Sequence, residues 1–112
     1  MTITITHGIR AALRPANTSE AELVEFGAAE EFIGVLRVCN QETATTRTYS
    51  IAHTDAAGAA AGEDWIESAR SIGPGQSMEY SIFAGNAESI RVVASVADKI
   101  SFHLTGKKKV VS

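Results

Sequence analysis

MEYSIFAGNAESIRVVASVADKISFHLT, residues 78–105, decides the class of fold. Met78, Tyr80 and Ile82 alternate with Glu79 and Ser81; Ile90, Val92, Ala94 and Val96 alternate with Arg91 and Ser95; Ile100, Phe102 and Leu104 alternate with Ser101, His103 and Thr105. A period of two is that of a β-strand, whose successive side chains face opposite sides. Each run has one apolar face and one mostly polar face, as in an antiparallel sheet that packs on one side. Val93 interrupts the polar face, so its strand is expected to be covered on both sides. Gly85-Asn86 and Ala97-Asp98 separate the runs at intervals of roughly ten residues, the spacing of a sandwich or barrel.

The pattern continues upstream. Gly73-Pro74-Gly75 reads as a turn. FIGVLRVC, Phe32 to Cys39, is short and almost continuously apolar, which suits a central strand. Asn40-Gln41-Glu42 reads as a turn into the Thr-rich strand TATTRTYSIAH, Thr43 to His53, and the two runs are expected to form a hairpin. In Asp55 to Gly62 two glycines oppose the helical preference of alanine, which makes it a loop. Glu63 to Ile72 reads as a strand, or as one helical turn, with Asp64 able to cap it, followed by a strand. TITIT, Thr2 to Thr6, is a strand signal; Leu13 to Thr18 is a loop; Glu20 to Phe26 is a short strand or helix. Gly106 is expected to end the last strand. The fold expected is all-β: a single antiparallel β-sandwich, jelly-roll-like, of roughly eight strands. Residues 1–30 form an N-terminal strand or arm, 31–106 the sandwich core and 107–112 a mobile lysine-rich tail.

Bulk properties agree with one soluble domain. The 112 residues are 45% hydrophobic and 21% charged, with a net charge of −3. A domain holding nucleic acid by its phosphates is expected to be basic, so no specific nucleic-acid partner is expected. The single Cys39 excludes an internal disulfide. No apolar run approaches the ~18 residues of a membrane span, and Met1 to Arg10 lacks an apolar signal core, so neither a membrane partner nor a cleaved signal is expected.

Chemistry-bearing residues are few. His7, His53 and His103 show no metal-ligand spacing, although His53-Thr54-Asp55 offers an imidazole and a carboxylate on a loop. Cys39 lies in an apolar run and is expected to be a buried hydrophobe rather than a nucleophile. Glu30-Glu31 and Glu63-Asp64 read as solvated pairs at turns. Gly73-Pro74-Gly75 lacks the Lys and Ser or Thr of a phosphate cradle. The expectation is a non-enzyme with no catalytic residues, no cofactor and no metal.

Four elements carry a family likeness: a strand ending in Val38-Cys39-Asn40; TYSIAH, Thr48 to His53; a glycine turn and strand, GPGQSMEYSI, Gly73 to Ile82; and the alternating pair IRVVASVADKISFHLTG, Ile90 to Gly106. Together they make Ile33 to Gly106, about two thirds of the chain, resemble small β-sandwich proteins of tailed bacteriophage virions. The resemblance implies a head decoration, neck or tail component, assembled in the host bacterial cytoplasm, with other virion proteins and further copies of itself as partners. Thr2, Ile3, Thr4 and Ile5 are then interface candidates, since an exposed arm can add a strand to a neighbour. So are Trp65 and the lysines Lys107, Lys108 and Lys109. The competing expectation is a carbohydrate- or receptor-binding module built on Trp65, Tyr49 and Tyr80, although aromatic residues total only 6%. An enzyme would need clustered His and carboxylates that the spacing does not show.

Overall fold

A computed structural model describes residues 2–56 and 58–111. It contains eight strands: β1 (Ile3–Leu13), β2 (Ala21–Glu25), β3 (Glu30–Asn40), β4 (Arg47–Thr54), β5 (Trp65–Ile72), β6 (Ser77–Gly85), β7 (Ser89–Ala94) and β8 (Ile100–Val111). One 3₁₀ turn, Gly62–Asp64, leads into β5. The order β1-β8-β3-β6 makes one antiparallel sheet and β2-β7-β4-β5 the other. Strands β4–β5, β3–β6, β2–β7 and β1–β8 are nested partners, as in one long hairpin. Rolling that ribbon adds the pairs β3–β8 and β4–β7 and closes the two sheets. This is the double-sheet jelly roll expected from the alternating pattern.

The inward faces build the core. Leu36, Val38, Ile100, Phe102 and Leu104 come from the first sheet, and Tyr49, Ile51, Ile90, Val92 and Ala94 from the second; none is more than 1% exposed. The alternation that predicted the strands is therefore the alternation of burial. Val93 is half-buried opposite Ser50, on the far side from the core, and is only partly covered.

The expected hairpin of Phe32–Cys39 with Thr43–His53 does not form, because β3 and β4 lie in different sheets. Asn40 explains the crossing. It is fully buried at the end of β3, where its Nδ2 donates to the carbonyls of Thr45 (3.0 Å) and Ile72 (2.9 Å) and its Oδ1 accepts from Glu42 N–H (2.9 Å). The segment after β3 is thus tied to the end of β5, not folded back onto β3. Glu63 to Ile72 is a helical turn and then a strand, one of the two forms expected for it.

The lysine-rich end is a second correction. Gly106 does not terminate a strand: β8 runs on to Val111 between β1 and β3, so Lys107 to Val111 are not a mobile tail, and Ser112 lies outside the described residues. β1 and β2 likewise are edge strands of the two sheets. Gly8, Gly106 and Gly34 stand in one row across β1, β8 and β3. A Cβ on Gly34 would lie 2.1 Å from the Thr105 carbonyl oxygen, and one on Gly106 would lie 2.2 Å from that of Ile33 and 2.9 Å from the Phe32 ring. Glycine here permits a close approach of strands under an aromatic ring, which is a mid-strand role.

Gly106→Val is therefore expected to lower stability by ~1–3 kcal/mol through overpacking, and Phe102→Ala by ~3–5 kcal/mol through lost burial and a cavity. Urea unfolding checks both as a lower midpoint at unchanged slope; a midpoint unmoved in Gly106→Val would contradict the packing of the glycine row.

Candidate functional site

Strand parity puts Phe32, Gly34, Leu36 and Val38 inward, so Ile33, Val35, Arg37 and Cys39 face out. The register then composes the outer face of the β1-β8-β3-β6 sheet row by row. Phe83, Ile33, Lys107 and His7 form one row, and Ser81, Val35, Thr105 and Ile9 the next. Towards the open end follow Glu31, Lys109 and Ile5, then Val111 and Ile3. Among the described residues seven large apolar side chains are exposed, and six of them, Ile3, Ile5, Ile9, Ile33, Val35 and Phe83, share this face. Phe83 is 66% exposed and Ile9 69%. A shallow groove of about 240 Å³ lies between Ile33, Phe83, Lys107 and Lys109.

The two ends of the chain meet on this sheet. Ile3 stands opposite Val111, Thr4 opposite Val110, Ile5 opposite Lys109 and Thr6 opposite Lys108, and Thr2 is exposed just ahead of β1. The three lysines divide by parity. Lys107 and Lys109 lie on the outer face, where Lys109 Nζ is 3.5 Å from Glu31 Oε2; Lys108 lies on the other face, within electrostatic reach of Glu30. Trp65 is not part of this surface: it is half-buried at the start of β5, in the opposite sheet. Ile9, Ile33, Val35 and Phe83 were not anticipated. Their signal was present: Phe83 is apolar out of phase with Ile82, and FIGVLRVC is apolar at both parities, which reads equally as burial on two sides.

Arg10 joins this sheet's edge strand to the core. It is the extra residue of a bulge between Ile9 and Ala11, and a bulge re-aims a side chain. Its Nε is 3.0 Å from Glu30 Oε2, its Nη2 donates to the Glu25 carbonyl (3.2 Å), and its guanidinium lies 5.3 Å from the centre of the Phe26 ring. Glu30 is 8% exposed and also accepts from Gly27 N–H at 3.1 Å, so it is a buried, paired group and not the solvated turn residue expected of Glu30-Glu31. Burial pushes its carboxyl up. The Arg10 and Gly27 hydrogen bonds, with the positive charge of Arg10 and Lys108, outweigh that and hold it below the usual carboxylate range.

The remaining chemistry-bearing side chains are engaged elsewhere. Tyr49 is 1% exposed and packs edge-on against Phe102; its hydroxyl meets that of Tyr80, which donates to Glu67 Oε2 at 2.8 Å. Two of the three aromatics considered for a sugar platform thus bridge the sheets internally. Burial, foremost, raises the pKa of both tyrosines. Cys39 is half-buried rather than buried, facing out between Ser77 and Ser101. His53 Nε2 lies 2.9 Å from Glu88 Oε1, not on Asp55. The two line an open hollow with Asp55, Glu63 and Asp64, and among the described residues no group of three or more His, Cys, Asp or Glu is placed to hold a metal ion.

No protein-family model matches the chain, and no curated protein sequence matches it. Solved structures match in fold. A chain from the crystal structure of the icosahedral viral particle of infectious bursal disease virus aligns with TM-score 0.51 and 10% identity, over 96% of this chain and 30% of that one. A chain from the Gx strain of that virus aligns with TM-score 0.47 and 11% identity, over 97% and 32%. A cleaved adhesin domain of Lys-gingipain from Porphyromonas gingivalis aligns with TM-score 0.40 and 8% identity, over 82% and 63%. What the first of these shares with this chain is the fold. The chain spans about a third of the length of the two virus chains and less than two thirds of the adhesin's. The β-sandwich implied by the sequence resemblance thus has a counterpart in a virus particle, and nothing in the likeness points to tailed bacteriophages in particular.

Two pH responses follow. Because Glu30 has a folded pKa below its unfolded value, its contribution is present above the unfolded pKa of ~4.3 and is lost as pH falls through the folded one; Glu30→Gln is expected to flatten the acid limb of a stability–pH curve. Because Tyr49 and Tyr80, the only tyrosines, are both raised, absorbance at the phenolate band at pH ~10 is expected to stay below the half-maximum that an unperturbed tyrosine reaches there.

Proposed function

We propose that this chain is a non-enzymatic structural subunit of a virion, acting by assembly with other virion proteins. The observation that carries this reading is the gathering of six exposed large apolar side chains on one outer sheet face. An apolar patch of this kind marks an interaction site, because leaving it in water costs about 25 cal/mol per Å². Lys107 and Lys109 stand on β8 between the isoleucines of β1 and the Ile33, Val35 and Phe83 group, so the face combines apolar side chains with positive charge. A jelly roll shared with a chain of a virus particle supports a particle role, and the resemblance of Ile33 to Gly106 to virion proteins of tailed bacteriophages supports a head decoration, neck or tail component. A single unbridged cysteine fits assembly in a bacterial cytoplasm. The commitment of Tyr49, Tyr80 and Glu67 to one internal hydrogen-bonded chain, and of His53 to Glu88, supports a protein whose polar groups hold structure.

Co-expression with the proteins encoded beside its gene, followed by sedimentation, tests the reading. The wild type is expected to enter large assemblies. Ile33→Asp with Phe83→Asp changes only exposed side chains, so it should keep the fold by circular dichroism and lose association at least ~tenfold, the loss expected when ~1.5–3 kcal/mol per apolar anchor is removed. A wild type that stays a free monomer beside all these proteins would overturn the proposal.

A further inference from the structure

We infer that the free edge of β1 is a pairing site for a second copy of this chain, joining β1 to its two-fold mate in an antiparallel ladder and the two β1-β8-β3-β6 sheets into one. The inference rests on the assembly reading above and names a partner and a mode for it.

The four sheet edges are not equivalent. β5 carries Glu67 and Arg70, two register breaks and a left-handed Ala69 (φ 49). β2 is five residues long, bears Glu22 and Glu25 and is bulged. β6 carries Glu79 and follows Pro74. Charges, bulges and shortness of this kind keep an edge from pairing with another chain. β1 has none of them from Thr2 to Ile9. Its stretch TITITHGI holds no Asp, Glu, Lys, Arg or Pro, and its one bulge begins after Ile9. Residues Ile3 to Ile9 are exposed throughout and pair only with β8, so among the described residues their outer N–H and C=O groups have no ladder partner. Such an edge takes an extended strand.

The composition of the edge selects a copy of itself. A two-fold contact requires self-complementarity. Ile3, Ile5 and Ile9 lie on the outer face and Thr4 and Thr6 on the other. Any antiparallel register that keeps the faces sets isoleucines against isoleucines or His7, and threonines against threonines or glycine, pairs free of like charge; Thr–Thr is itself a favourable cross-strand pair. The lysines of β8 do not oppose this. Adjacent strands are about 4.8 Å apart, so the two β8 strands would stand about 14 Å from each other, beyond the ~8 Å screening length at physiological salt. The outer faces of the two sheets would then meet at the isoleucines of β1.

Light scattering on the purified chain across a concentration series, with hydrogen exchange on the same samples, tests the inference. The wild type is expected to reach twice the 11.8 kDa monomer mass, with slowed exchange at the outward amides between Thr2 and Ile9. Ile5→Glu and Thr6→Glu each place a carboxylate opposite a lysine of the same chain, Lys109 or Lys108, so the monomer keeps its fold while both paired edges gain negative charge. Dimerisation is expected to weaken at least tenfold in both, and the amides to exchange freely. Mixing Ile5→Glu with Ile5→Lys should restore a dimer. Phe83→Ser, three strands from the edge, should leave the dimer unchanged. A wild type that remains at monomer mass, or a dimer that survives both glutamate variants, overturns edge pairing; a dimer abolished by Phe83→Ser overturns it too, by moving the contact to the sheet face. None of these outcomes depends on co-sedimentation with other virion proteins, which judges the assembly reading separately.

Discussion

The position of β8 between β1 and β3 is the constraint on which the rest of the molecule depends. β8 is the last strand in the chain, and it pairs along its length with the first strand on one side and a central strand on the other. Its inward side chains, Ile100, Phe102 and Leu104, fill the middle of the core, and its outward residues set the rows of the exposed face. Because a one-residue slip would turn every side chain to the wrong face, burying Phe102 and Leu104 fixes where Lys107 and Lys109 must emerge. Gly106 and Gly34, facing each other under the Phe32 ring, pin the same register sterically. Closing this sheet brings together residues about a hundred positions apart, the non-local pairing that makes such sheets slow to fold.

Polar groups hold the places where hydrophobic burial alone does not specify geometry. Asn40 is satisfied by three backbone partners at the point where the chain leaves one sheet for the other. Arg10 and Glu30 tie the edge strand to the turn between β2 and β3. The Tyr49–Tyr80–Glu67 chain spans the open side between β4, β5 and β6. Among the described residues no buried side-chain nitrogen or oxygen lacks a partner. A buried polar group is costly only when unpaired, so these networks select one arrangement of the strands at little net loss.

The surface divides into protected and unprotected parts. Three of the four sheet edges carry the charges and irregularities that discourage pairing, and the outer face of the second sheet exposes one large apolar side chain, Ile66, among the described residues. The first sheet has both an apolar face and an uncharged edge. A small jelly roll needs neither for its own stability. Their coincidence on one sheet is the feature on which the proposed assembly role rests.

Much of the fold was legible in the sequence because the side-chain period of a strand is local. The alternation from Met78 to Thr105 specified strands and their inward faces, and the Gly85-Asn86 and Ala97-Asp98 turns specified where they end. The sheet to which each strand belongs was not legible. β3 and β4 read as a hairpin because nearness in sequence is the only pairing cue that a chain offers, whereas Asn40 and the shared core part them. Gly106 read as a stop because a glycine's local preference does not show that another backbone passes within 2.2 Å of where its Cβ would be. For the candidate surface, TITIT and the lysines were picked out by composition. Ile33, Val35 and Phe83 were not, since an apolar side chain declares itself buried until the other side of its sheet is known to be empty. The sequence by itself determined the all-β class, the alternation and the absence of an internal disulfide. Only the tertiary structure decided that the two ends of the chain are neighbours, that six apolar residues gather on one exposed face, and that one edge is left without charge, because each of these is a relation between strands that no local period encodes.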